Sequence, residues 1–288
     1  IRNYGTGEVR FEAPQITPES TATKPSEVYK PGATLDRTLE YGGKTVPIYR
    51  DRPLNVFSDV DFIWTGEENE NQRRLEYLGG EFRTRYGIDV SSFQGEIDWD
   101  AVADDNIDFA MVRVGFRGTG TGSLNTDKYY EQNIRGAMRA GLETGVYFFA
   151  QAVTVEEAIE EADYVISLLD GLDINGPVAY DWEMHDSTYR VYGTSPEMAT
   201  ACAVAFCERI KDAGYTPMVY GGTYVTYMKY DQGALADYLS WYPEYKSEKS
   251  EKLCPTLVYH MDYWQFSSSR AVAGINGRVD MNIQFIRR

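Results

Sequence analysis

The residues best placed to do chemistry are Asp181 and Glu183, which close the run Pro177 to Glu183. Read as a β-strand, that run alternates: Ala179, Asp181 and Glu183 point one way, and Val178, Tyr180 and Trp182 the other. Two carboxylates then share one face. In a site sheltered from water, mutual repulsion and lost solvation raise the pKa of one of them and keep it protonated near neutral pH, which is how a Glu or Asp becomes an acid catalyst. An Asp-x-Glu in an acidic chain also reads as two solvated acids at a strand end. The elements around it have to decide.

From Tyr86 onward, apolar strands alternate with loops and helices, the texture of an α/β protein built on a parallel sheet. The strands are read at Tyr86–Val90, Asp108–Val114, Gly145–Ala150, Pro177–Glu183, Thr216–Tyr220, Tyr238–Tyr242, Leu257–His260 with Asp262–Gln265, and Gly277–Ile283. Asp98 caps a short helix. A second helix runs from Thr126 to Gly141, Thr154 with Glu157 makes a capping box for a third that ends near Gly171, and Ser195 with Pro196 starts a fourth that stops at Gly214. After Tyr220 the regular alternation decays, and the connections Pro243 to Pro255 and Ser267 to Asn276 read as loops without a helix. Eight parallel strands closing on themselves, a TIM-like barrel, is the arrangement this order predicts, with strand eight beside strand one.

In such a barrel Asp89 ends strand one, Asp181 and Glu183 end strand four, and Asp280 lies in strand eight. Four carboxylates reach the carboxyl-terminal rim, where the active sites of these barrels sit. Buried unpaired charge is expensive as mere structure, which leaves a hard-cation site or an acid-catalysed glycosidase. Calcium or magnesium accepts oxygen ligands, but no contiguous loop of ligands is present and no metal is assigned. The chain holds 23 Tyr and 5 Trp, several at strand ends: Tyr147, Trp182, Tyr220, Trp241, Tyr242 and Trp264, with Gln265 beside the last. Aromatic faces with polar tips suit sugar rings, so these seven are the expected substrate-binding residues.

The net charge of −16 comes without a basic stripe, so nucleic acid is not an expected partner. Two histidines, His185 and His260, and three cysteines without metal or disulfide spacing give a zinc hydrolase or a Ser-His-Asp enzyme little to work with. No cofactor is called for. No apolar run approaches the roughly 18 residues of a membrane span, and a start at Ile1 leaves room for a removed signal or anchor segment. Residues 1 to about 45, rich in Pro, Thr, Glu and Gly, read as an extended stalk. Thr45 to Trp64 is expected to pack one or two strands against a neighbour.

Together these pieces resemble the family 25 glycoside hydrolases, the lysozyme-type muramidases. The matching stretches are Tyr86–Gly95 (YGIDVSSFQG) with Ile97–Trp99, Val112–Arg117 (VRVGFR), Gly145–Phe149 (GVYFF), Tyr180–Glu183 (YDWE), Trp241–Tyr242, Trp264–Gln265 and Val279–Asn282 (VDMN). The resemblance implies a catalytic barrel of eight strands and about five helices over residues 85–288, leaving 1–84 as an N-terminal extension. It implies Glu183 as general acid, Asp181 as its partner, Asp89 and Asp280 as further site carboxylates, and peptidoglycan glycan strands as substrate. A monomer acting outside the cell or at its surface is expected. The alternatives are a non-catalytic glycan-binding module and a hydrolase of another N-acetylhexosamine polymer such as chitin. Phe148 departs from the family pattern, which often has His there, and is expected to alter contacts at a sugar subsite.

Overall fold

The computed structural model describes residues 22–66 and 73–288. The elements, in chain order, begin with a helical turn α1 (Pro25–Val28), an antiparallel hairpin of β1 (Leu35–Tyr41) and β2 (Lys44–Tyr49), and an antiparallel pair of β3 (Phe62–Thr65) and β4 (Arg74–Tyr77). Then come β5 (Phe82–Val90), α2 (Trp99–Asp104), β6 (Phe109–Arg117), β7 (Leu124–Thr126), α3 (Tyr130–Arg139), β8 (Glu143–Ala150), α4 (Val155–Leu168) and β9 (Val178–Trp182). The chain finishes with α5 (Pro196–Asp212), β10 (Pro217–Tyr220), α6 (Thr223–Met228), β11 (Leu239–Pro243), β12 (Tyr263–Arg270) and β13 (Val279–Arg287). None of these helices is long and apolar enough to cross a membrane.

Eight strands close into a barrel in the order β5, β6, β8, β9, β10, β11, β12, β13, with β13 returning to β5. Closure beside strand one is as expected, but the strands are not all parallel: β13 runs antiparallel to both β12 and β5. The reason is length. Only Ala271–Arg278 separates β12 from β13, and a parallel crossover needs a dozen residues or more. The reversal still delivers Asp280 to the correct rim, because its register partner on β5 is Asp89.

Local signals set the helix ends. Asp98, Thr154 and Ser195 each accept a backbone N–H of the first turn, and Gly141 and Gly214 follow α3 and α5 at φ of 86° and 90°, where a side chain would be strained. The capping box at Thr154 is only half made: the Glu157 carboxylate turns to the Val153 N–H and to Arg190 instead. The sequence reading missed the six-residue α6. It also read Leu257–His260 as strand, where the structure has a single bridge between Tyr259 and Leu54.

Strand alternation divides the apolar residues in two. Phe109, Met111, Tyr147, Ala179, Met218, Tyr220, Trp241 and Tyr263 fill the barrel interior. Val178, Tyr180 and Trp182 face the helices, with Phe148 and Phe206. Where β12 and β13 have no helix outside them, the segment before β5 supplies the outer cover. Phe57 packs on Phe285 at 4.4 Å and Phe82 at 5.3 Å, and Phe62 meets Trp264 edge-on at 5.4 Å. Arg52 is buried there and donates to Gln232 Oε1 and to the carbonyls of Leu235 and Tyr238. Residues 1–21, the first part of the expected stalk, lie outside the described residues. Residues 22–45 differ from an extended stalk: they form α1 and most of a hairpin whose Ile48 is fully buried.

Candidate active site

The end of β9 shows why the four acids meet. Ala179 points into the barrel, so Asp181, two residues on, points the same way and emerges at the rim. β9 ends at Trp182 and Glu183 lies just beyond the ladder. Asp89 comes up on β5 and Asp280 stands opposite it on β13. All four line a cleft of about 290 Å³ with Tyr147, Tyr220, Trp241, Tyr245 and Gln265 among the walls. A larger groove, about 420 Å³, runs between the β1–β2 hairpin and α5–α6. Of its two acids, Asp231 is occupied in accepting the backbone N–H groups of Gly32, Gly233 and Ala234, and Glu197 is exposed on the first turn of α5.

Asp89 is buried and held by two amides on one oxygen, Gln265 Nε2 at 2.9 Å and Asn282 Nδ2 at 2.8 Å, both to Oδ2. Those amides are fixed in turn. The hydroxyls of Tyr220 (3.2 Å) and Tyr245 (3.1 Å) donate to Gln265 Oε1, and Trp241 Nε1 donates to Asn282 Oδ1 at 2.8 Å. Burial pushes Asp89 up to about 6 even though Asn282, Gln265 and Asp280 all donate to its charged form. Burial, followed by the Asp89 charge, pushes Asp280 up to about 8. At neutral pH this pair therefore holds a proton on Asp280, donated to Asp89.

The second pair is Asp181 with Glu183. Burial, followed by the Glu183 charge, holds Asp181 protonated well above the usual carboxylate range, and Arg113 opposes this only in part. The Arg113 charge is already engaged by buried Asp127, at 2.8 Å, and its guanidinium sits 5.1 Å from the centre of the exposed Phe93 ring. Asp181 Oδ1 is buried with no partner among the described residues. On the solvent side His185 Nε2 lies 2.7 Å from Glu183 Oε2. A proton held between two carboxylates, beside an acceptor oxygen with nothing to accept from, equips the cleft to protonate a leaving group and to bind a donor next to it.

Three of the expected sugar contacts are elsewhere. Trp182, Tyr242 and Trp264 face away from the cleft into the outer layer, donating respectively to the Ala152 carbonyl, to Thr223 Oγ1 (as a shared hydroxyl pair) and to the Glu244 carbonyl. Each neighbours a residue that faces inward, Asp181, Trp241 and Gln265, and adjacent strand residues point oppositely. Gln265 lines the cleft, but its amide is committed to Asp89 and the two tyrosines. Phe148 is fully buried against Tyr164 of α4, so the departure there touches the helix layer and not a subsite. The sequence reading missed Asn282, Arg113, Phe93, Tyr245 and His185. Asn282 was within reach of it, two residues after Asp280 and therefore on the same face. Tyr245 and His185 stand on loops that carry no periodic signal.

The raised pKa of Asp280 makes a stability prediction. Between the unfolded value near 4 and the folded value of about 8, the folded chain keeps a proton that the unfolded chain has lost, so this group costs stability as pH rises through that window. Asp280→Asn keeps a donor for Asp89 and removes the ionisation. Thermal unfolding is expected to show the variant gaining steadily on wild type from pH 4 to pH 8, by up to about 5 kcal/mol at the upper end. A gap that stays constant with pH would show that the Asp280 proton is not held as described.

Residues 88–275 match the family model described as Glycosyl hydrolases family 25. The autolytic lysozyme of Clostridium acetobutylicum is 26% identical over 197 residues, 68% of this chain and 54% of that protein, so the match spans about half the relative's length. The bacterial lysozyme from Streptomyces coelicolor superposes with a TM-score of 0.55 at 25% identity, over 69% of this chain and 90% of that one. The spore cortex lytic enzyme SleM of Clostridium perfringens shares the fold, with a TM-score of 0.59 at 23% identity over 70% and 67% of the two chains. The family match covers well over half the chain and contains Asp89, Asp181 and Glu183, three of the four acids at the barrel rim, and on that ground the chain belongs to the family 25 glycosyl hydrolases.

Proposed function

We propose that this chain hydrolyses peptidoglycan, cleaving the β-1,4 bond between N-acetylmuramic acid and N-acetylglucosamine, with residues 85–288 as the catalytic unit. The observation that carries the reading is the unpartnered Oδ1 of Asp181 beside Glu183. An N-acetylated sugar brings an amide N–H, the kind of donor such an oxygen lacks. When that N–H binds Asp181, the proton held by the pair passes to Glu183. Glu183 gives it to the glycosidic oxygen while the acetamido oxygen of the same sugar attacks C1 and displaces the leaving group. Asp181, now ionised, stabilises the cationic ring so formed. Glu183, now a base, takes a proton from water as that water opens the ring from the opposite face, and the configuration at C1 is retained. Peptidoglycan places the reaction outside the cytoplasmic membrane, at the cell surface or beyond it.

Mass spectrometry of digested peptidoglycan tests the bond cleaved: disaccharide muropeptides ending in reducing N-acetylmuramic acid are expected. Release from chitin at a comparable rate would move the assignment to N-acetylhexosamine polymers in general. NMR of the first product tests the route, because the β-anomer is expected and an initial α-anomer would rule out assistance by the substrate.

A further inference from the structure

The β8–β9 ladder ends at the pair Ala150 and Trp182. The next residues along are Gln151 and Glu183, and the backbone makes no bond between them. A side chain makes it instead: Gln151 Nε2 donates to the Glu183 carbonyl at 2.8 Å. Gln151 is fully buried, and its Oε1 has no partner among the described residues. Swapping the amide's oxygen and nitrogen would set two acceptors against each other, so the orientation is forced. Gln151 is itself clamped on both sides. Its N–H donates to Glu161 Oε1 at 3.0 Å, and that carboxylate accepts from Arg117 Nε at 2.7 Å. Its carbonyl accepts from Arg190 Nη1 at 2.9 Å, and Arg190 grips Glu157 through two bonds of 2.9 and 2.7 Å. Arg190 lies on the loop that follows Glu183, so Gln151 ties that loop to the barrel at two points.

We propose that Gln151 is the positioning residue for Glu183: its side chain adds one rung to the β8–β9 ladder and fixes the backbone from which the Glu183 carboxyl reaches the cleft. Without that rung the last fixed point of β9 is Trp182. The Glu183 backbone is then free to rotate, and the carboxyl departs from Asp181. Holding a buried acceptor unpaired costs about 1–3 kcal/mol, a cost that a methionine in the same space would avoid. The glutamine is therefore poor filler, and its donor is what the site uses.

The inference rests on Glu183 being the acid, and its test separates the two ideas. Gln151→Met keeps the length and loses the donor; Gln151→Asn keeps a buried amide that ends one carbon–carbon bond short. Both are expected to lower kcat on peptidoglycan by about 10–100-fold with KM within about twofold, because the group lost acts on geometry rather than on substrate binding. ¹³C NMR of carboxyl-labelled protein provides a readout without substrate: the Asp181 titration, held up by burial and then by the neighbouring Glu183 charge, is expected to move down in both variants as the carboxyls part. Folded variants with wild-type kcat and titration overturn the proposal. So does a loss carried mainly by KM, or unfolding of both variants, which would make Gln151 a structural residue. If the wild type cleaves no glycan, the functional reading falls and the titration alone decides the role of Gln151.

Discussion

Glu183→Gln is expected to lower peptidoglycan hydrolysis about 10⁴-fold, at the top of the range for general acid–base catalysis, because in the proposed route one carboxyl serves both steps. The substitution preserves shape. Its amide oxygen still accepts from His185, which lies 2.7 Å from the carboxylate, and the Glu183 carbonyl keeps its bond from Gln151. Thermal unfolding and glycan binding should therefore stay close to wild type, so that inactivity reports lost chemistry rather than a lost fold. Digests by the two proteins, compared by mass spectrometry, make the measurement. Reducing-end muropeptides at the wild-type rate from the variant would mean that another group supplies the proton.

Asp181→Asn is expected to lower kcat by about 10²- to 10³-fold with little change in KM. An amide oxygen still accepts the N–H of the substrate's acetamido group, so binding persists. What disappears is the negative charge that, in the proposed route, faces the cationic ring as it forms, an interaction stronger in the transition state than in the ground state. Steady-state kinetics on a soluble muropeptide oligomer separate the two parameters. A rise in KM with kcat unchanged would make Asp181 a binding group only.

Both acids were legible because Asp-x-Glu at a strand end obeys a period of two. The same period shows where the reading of the aromatics failed. Trp182, Tyr242 and Trp264 sit one residue from inward-facing Asp181, Trp241 and Gln265, so the same alternation turns them outward. Trp264 in particular packs under Phe62, a cover supplied by a segment that the sequence reading gave no fixed place. The antiparallel β13 was legible in principle from the short connection before it.

The sequence alone determined the strand order, the helix caps at Asp98, Thr154 and Ser195, and the presence of Asp89, Asp181, Glu183 and Asp280 at one rim. These follow from local periodicity and from closure of a twisted sheet, and neither needs the position of any particular side chain. Tertiary structure alone decided which acids hold protons and what aims them. Asp89 and Asp280 are 191 positions apart in the chain and adjacent only through the β5–β13 register. The Gln151 bond to Glu183 spans 32 residues. Burial depth and hydrogen bonds between residues distant in sequence set a carboxyl's proton affinity, and they come into being only when the barrel closes.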